Sequence, residues 1–141
     1  MSSKMKEADG IILGSPVHYS AIAGTMKSFL DRAFYVASSN GGMFRHKIGA
    51  SVVAVRRSVG IPVFNQLNNY INYSERIMPT SNYWNVAYGT TPGEVTQDEE
   101  GMQIMRVLGK NMAWMMKVLE AGKSQVKENE KEDKIFTNFI R

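Results

Sequence analysis

Apolar positions in this chain fall into three short continuous runs, separated by longer stretches in which they recur every three or four residues. The first run spans about Ala8 to Ser15, the second about Ile48 to Val55, the third about Tyr83 to Tyr88. Continuous rather than alternating apolarity predicts strands covered on both faces. Ile22, Met26, Phe29, Leu30, Ala33 and Ala37 fall at helical spacing and predict a helix from about Ile22 to Ala37. Phe64, Leu67 and Ile71 share one side of a second helix, with Pro62 in its first turn, where a missing N–H costs little. Met105, Leu108, Met112, Met115 and Leu119 mark a third helix from about Gln97 to Ala121. The order is β-α-β-α-β-α, which predicts an α/β fold: a parallel sheet of three strands with helices on both faces.

The breaks between elements are as informative as the elements. Ser38-Ser39-Asn40-Gly41-Gly42 stops the first helix and feeds the N-terminal end of the second strand. Thr96 and Glu99 stand three apart, a capping-box spacing, and Gly122 suits a helix stop. In an open α/β sheet, ligands sit where strands end at their C-termini. Three exits lie there: Ser15-Pro16-Val17-His18-Tyr19-Ser20, Arg56-Arg57-Ser58-Val59-Gly60, and Gly89-Thr90-Thr91-Pro92-Gly93.

Composition narrows the picture. The 141 residues, 43% hydrophobic and 21% charged, suit one globular domain, residues 1–122, with a mixed-charge tail over 123–141. No apolar run reaches the ~18 residues of a membrane span. The first residues lack the apolar stretch of a signal peptide, so a cytoplasmic location is expected. With no cysteine, the chain forms no disulfide and offers no thiolate to a metal or a substrate. Its two histidines, His18 and His46, make no histidine-rich metal site. A net charge of +4 without a dense basic patch interleaved with aromatics argues against a nucleic-acid partner. Five of the ten methionines lie between Met102 and Met116 and read as core or interface filling.

Ala8-Asp9-Gly10-Ile11-Ile12-Leu13-Gly14-Ser15-Pro16-Val17-His18-Tyr19, followed by Gly24-Thr25-Met26-Lys27-Ser28-Phe29-Leu30-Asp31-Arg32, resembles the flavodoxin-like NAD(P)H-dependent FMN reductases. Iron–sulfur flavoproteins and multimeric quinone reductases look similar here. The ending Thr137-Asn138-Phe139-Ile140-Arg141 is also similar to that group. The resemblance implies that Ser15, Pro16, Val17, His18, Tyr19 and Ser20 hold the edge of an FMN ring. It implies Arg57, Ser58, Val59 and Gly60 on the other side, although the family has more glycine there. The implied activity passes hydride from NAD(P)H through FMN to a small-molecule acceptor: a quinone, nitro, azo or flavin compound. No side chain is singled out as catalytic, since such a cofactor carries the chemistry. Arg57 is the candidate to stabilise the anionic reduced ring, ahead of Arg56.

Each of these residues also has a plainer role open to it. Ser15-Pro16 suits an ordinary strand exit, His18 a surface imidazole, Tyr19 a packing contact. Lys27, Asp31 and Arg32 suit surface or interhelical pairs. Tyr83, Trp84, Tyr88 and Trp114 suit packing as well as an acceptor pocket. Two other functions stand beside the enzyme. One is a flavodoxin-like electron carrier, which a net charge of +4 disfavours. The other is a non-catalytic oligomeric remnant with weak or no FMN binding. In the family, a Ser/Gly-rich turn after the first strand cradles the FMN phosphate. This chain's first strand matches the family's third, so an N-terminally truncated fold is expected. The Ile11–Leu13 strand would then show an unpaired edge, and a homo-oligomer follows as an expectation, with Ile135-Phe136-Thr137-Asn138-Phe139-Ile140 docking on a neighbouring subunit.

Overall fold

The computed structural model describes residues 3–139. After a short helix α1 (Ser3–Glu7) come strand β1 (Gly10–His18), a two-residue strand β2 (Ala21–Ile22) and helix α2 (Gly24–Ser39). Strand β3 (Ile48–Val55), helix α3 (Gly60–Tyr73), strand β4 (Val86–Tyr88) and helix α4 (Glu99–Gly122) complete the order, with a 3-10 turn at Glu94–Gln97 before α4. The sheet runs β2-β1-β3-β4. Strands β1, β3 and β4 are parallel, while β2 folds back antiparallel on β1. The expected α/β class is present, with four strands instead of three, because the first strand turns back on itself before its helix begins.

Side-chain alternation sorts the layers. Leu13, Val53 and Val55 face α2 and α3 and pack with Leu30, Ala33, Phe34, Phe44, Val63, Leu67 and Ile71. On the opposite face Ile48 and Ala50 pack with Leu108 and Met112 of α4. Each large side chain so buried contributes about 1.5–3 kcal/mol. Strand β3 is covered on both sides, as its apolar run predicts. Strand β1 is not: Ile12 is 52% exposed, and Gly14 and Pro16 are exposed beside it. Helix α4 reaches β1 at Gly10, where an added Cβ would lie 2.8 Å from the Met112 methyl. Beyond its pairing with β2 at Val17 and His18, the outer edge of β1 has no neighbour among the described residues.

Several boundaries move for local reasons. Ile22 belongs to β2, so α2 starts at Gly24. Its buried stripe is Leu30, Ala33, Phe34 and Ala37, while Phe29 is 40% exposed. The chain touches β3 early, through an isolated bridge of Ile77 with Ile48. It then leaves over residues 78–84 and returns when Val53 N–H donates to Asn85 O at 2.9 Å. The expected strand Tyr83–Tyr88 therefore shrinks to Val86–Tyr88. The excursion leaves a cavity of about 220 Å3 beside β3, lined by Ser51, Asn68 and Trp84 among others. Thr96 and Glu99 form no capping box. Asp98 caps α4 instead, accepting from Gly101 N at 2.9 Å and from Tyr88 N at 2.7 Å, which ties the helix to β4. Gly122 lies inside α4, and the cap position is Lys123 in right-handed helical conformation.

The paired motif residues of α2 have a structural task. Lys27 Nζ donates to both Asp31 carboxylate oxygens at 2.7 Å, and the Tyr70 hydroxyl of α3 donates to the same carboxylate. Lys27 first, then Tyr70, hold the Asp31 carboxyl below its ordinary value of 3.8. A carboxyl with a depressed folded value stabilises the fold above its unfolded value and loses that contribution as pH falls. Asp31→Asn is therefore less stable than the wild type at neutral pH, and the gap closes as pH drops below about 4. Urea denaturation of both proteins across that pH range checks this, and a gap independent of pH would contradict it.

Candidate functional site

The C-terminal ends of β1 and β3 are adjacent. Their parallel register pairs Pro16 with Ala54, so the chain leaves both strands at one edge of the sheet. Strand β1 runs on through His18, which places Ser15, Pro16, Val17 and His18 in the strand and not in its exit turn. The turn itself is Tyr19-Ser20, with φ of 47° and 63°. Two central residues with positive φ in a two-residue hairpin form the tight turn whose twist matches its strands. Neither is glycine or asparagine, so the turn is strained and needs outside support.

That support comes from two side chains. Ser15 is buried, and its hydroxyl accepts from Ala23 N at 3.0 Å while donating to Pro16 O at 2.7 Å. Gln66 of α3 accepts from Ile22 N at 3.2 Å, and its amide donates to Ser20 O at 3.5 Å. Sequence reasoning misses Gln66, because a single glutamine on a helix belongs to no motif. Tyr19, a candidate ring contact with packing as its plainer role, makes no packing contact and extends fully into solvent at the hairpin tip.

The second wall is the exit from β3. Arg56, Arg57 and Ser58 form an exposed bend, and Val59 enters α3 with φ 61° and ψ 20°. A β-branched residue in the left-handed region is a true outlier, costing on the order of 1–3 kcal/mol. Gly60 follows because nothing larger fits: an added Cβ would lie 2.7 Å from Val86 Cγ1. The amides of Arg57, Ser58 and Val59 have no acceptor, and Arg56 and Arg57 no ion-pair partner, among the described residues. The third exit differs. There the amides of Thr90 and Thr91 donate to Glu94 Oε2 at 2.6 and 2.9 Å, and these bonds lower the Glu94 pKa.

The two nearer exits thus meet at one edge, and most of the expected residues gather there. Pro16 and His18 lie on the open face of β1, Tyr19 and Ser20 at the hairpin tip, and Arg57, Ser58 and Val59 on the facing turn, all exposed. Val17 is half-buried against Ile22, and Gly60 is buried under β4. Ser15 turns inward and is buried, on the same face of β1 as Val17. Free backbone donors, exposed guanidinium groups and a hairpin held by Ser15 and Gln66 suit a flat ligand edged with carbonyl and ring-nitrogen acceptors.

Residues 1–91 match the family described as NADPH-dependent FMN reductase. The chain belongs to that family. An iron–sulfur flavoprotein of Methanocaldococcus jannaschii is 33% identical over 124 residues, covering 83% of this chain and 63% of the relative. An iron–sulfur flavoprotein of Archaeoglobus fulgidus is 26% identical over 129 residues, covering 82% of this chain and 64% of the relative. The chain thus spans less than two thirds of the length of these relatives, and its 141 residues include no cysteine to ligate a cluster. Among solved structures, RosB with a bound 8-demethyl-8-formylriboflavin-5′-phosphate superposes with a TM-score of 0.68 at 14% identity, over 99% of this chain and 65% of RosB. A flavodoxin from the domain Archaea gives a TM-score of 0.57 at 20% identity, over 82% of this chain and 70% of the other. These likenesses show the flavodoxin-like fold.

Two substitutions test the second wall. Val59→Gly removes the left-handed strain and raises stability by up to about 1 kcal/mol, a gain reduced by the lost packing of a side chain 38% exposed and by the freer unfolded chain. Gly60→Ala forces its new methyl into Val86 and lowers stability by about 1–3 kcal/mol. Urea midpoints measured side by side should move in opposite directions; shifts of one sign would contradict the geometry.

Proposed function

We propose that this chain supplies the ring-binding edge of an FMN-dependent NAD(P)H oxidoreductase. One observation carries the reading: two exposed turns, with unengaged amides and a free arginine, leave adjacent parallel strands at the ligand edge of a chain from an FMN reductase family. When bound, FMN supplies the capacity to take hydride from NAD(P)H and pass electrons to a quinone, nitro, azo or flavin acceptor. The protein's part is position and charge. The amides of Arg57, Ser58 and Val59 donate to the pyrimidine edge, and the Arg57 guanidinium balances negative charge there. The hairpin, stiffened by Pro16 and clamped by Gln66, walls the other side, with His18 and Tyr19 beside the ring. The exposed edge between the two turns would leave room for NAD(P)H and then for the acceptor to approach in turn.

The contacts named are all to the ring, which separates this reading from phosphate-anchored binding. Flavin added to the purified chain is expected to show a perturbed visible spectrum, with FMN and riboflavin binding within about threefold of each other, well under the 1.4 kcal/mol of a tenfold difference. Arg57→Ala weakens both about tenfold, the loss of one charge-assisted hydrogen bond. NADPH bleaches the bound flavin. A chain that retains no flavin and assembles into a discrete oligomer would overturn the enzyme in favour of the non-catalytic remnant.

A further inference from the structure

The edge of the sheet opposite the ligand turns carries a second feature, independent of any flavin. After α4 the chain continues without regular structure and crosses the loop before β3 and the end of α3. Both Arg45 Nη atoms donate to Asn129 O at 3.3 Å, and Glu128 Oε2 lies 3.4 Å from His46 Nδ1. Lys134 Nζ donates to the Tyr73 hydroxyl at 3.1 Å and sits 4.5 Å from the centre of that ring. These contacts make residues 128–134 a strap tied at both ends. Between strap and body lies a cleft of about 810 Å3, bounded by Ser38, Gly42, Tyr73 and Ser74 on one side and by Asn129 to Phe136 on the other.

Beyond Lys134, which also lies 5.6 Å from the centre of the Phe136 ring, large apolar side chains are exposed: Ile135 is 92%, Phe136 80% and Phe139 92% exposed. Leaving such groups in water forgoes the gain of burying them. We propose that this tip docks in the equivalent cleft of a second copy of the chain, in a reciprocal two-fold exchange. Two observations select that occupant. The tip grows from the rim of the cleft, so residues 135–139, reaching at most about 18 Å, meet a second copy's cleft without the strap unwinding. A two-fold contact also places like surfaces together, which demands self-complementary charge. The strap has it, interleaving Lys127, Lys131 and Lys134 with Glu128, Glu130, Glu132 and Asp133.

The absence of native cysteine gives a clean test. Phe139→Cys and Ser74→Cys, prepared as separate single variants and mixed under oxidising conditions, should form a mixed disulfide between the two chains. If the tip instead fills its own cleft, only a double variant closes, within one chain, and the mixed singles stay apart; that result overturns the proposal. Sedimentation of the full chain supplies an independent readout. The wild type should sediment as a dimer or a multiple of it. The Phe136→Ser/Phe139→Ser variant should fall to half that mass with an unchanged circular dichroism spectrum. A monomeric wild type, or a variant that keeps its assembly, would overturn it equally.

Discussion

The parallel register of β1 on β3 is the constraint on which the rest of this molecule depends. Side chains alternate between faces, so a slip of one residue would turn Leu13 and Ser15 outward and push Ile12 and Gly14 into the α2–α3 core. Two close contacts hold the register. An added Cβ at Gly10 would strike Met112 at 2.8 Å, and one at Gly49 would strike Ile71 and the Arg76 stem, both at 2.9 Å. Gly10 and Ile11 pair with Ile48 and Gly49, so α4 and α3 grip the strand pair from opposite sides at the same level. Only in this alignment do the hairpin and the Arg57–Gly60 bend leave the sheet at the same height.

Helix α3 then joins the two walls into one unit. Its first residue, Gly60, is wedged under Val86, which fixes where the second turn ends. Two turns further on, Gln66 grips the backbone of the hairpin at Ile22 and Ser20. One turn beyond that, Tyr70 reaches Asp31 on α2. A single rigid helix therefore sets the separation of two strained turns that share no hydrogen bond with each other. Strain persists only where the surroundings over-determine it, and here the surroundings are one helix read at three positions.

Much of this order was legible in the residues. Ile48–Val55 reads as a doubly covered strand and is one, because both helical layers lie over it. The first strand was harder. Ser15-Pro16 looks like a turn from sequence alone, yet proline is tolerated on an edge strand, where its missing N–H faces no neighbour. The true turn, Tyr19-Ser20, carries none of the Asn-Gly chemistry that marks hairpins, and its support comes from Gln66, 46 residues from Ser20. Apolarity at Ile12 says what the strand would bury, not what lies above it. Thr96 and Glu99 matched a capping pattern, but Asp98 serves both β4 and α4 and so won the cap.

The two ends of the sheet differ in how their backbone and charges are held. Of the five non-glycine residues with positive φ among the described residues, Tyr19, Ser20 and Val59 lie at the C-terminal edge and His46 and Glu75 at the N-terminal edge, where the tail is strapped. Arg76 stands beside that second group, 6% exposed, donating to Ile48 O at 2.8 Å and stacked 4.5 Å from the Phe44 ring. Burial pulls its pKa down to about 10, and its Nε and Nη2 atoms have no partner among the described residues. An unpaired buried cation is costly. Its neighbours Arg45 and Glu75 pair with each other at 2.7 Å, outside it, and Arg45 goes on to hold the strap. Charge at this edge is thus committed to closing the bottom of the sheet and anchoring the tail, while the opposite edge keeps Arg56 and Arg57 free. The same short sheet separates an end whose charges are tied down from an end whose arginines are exposed.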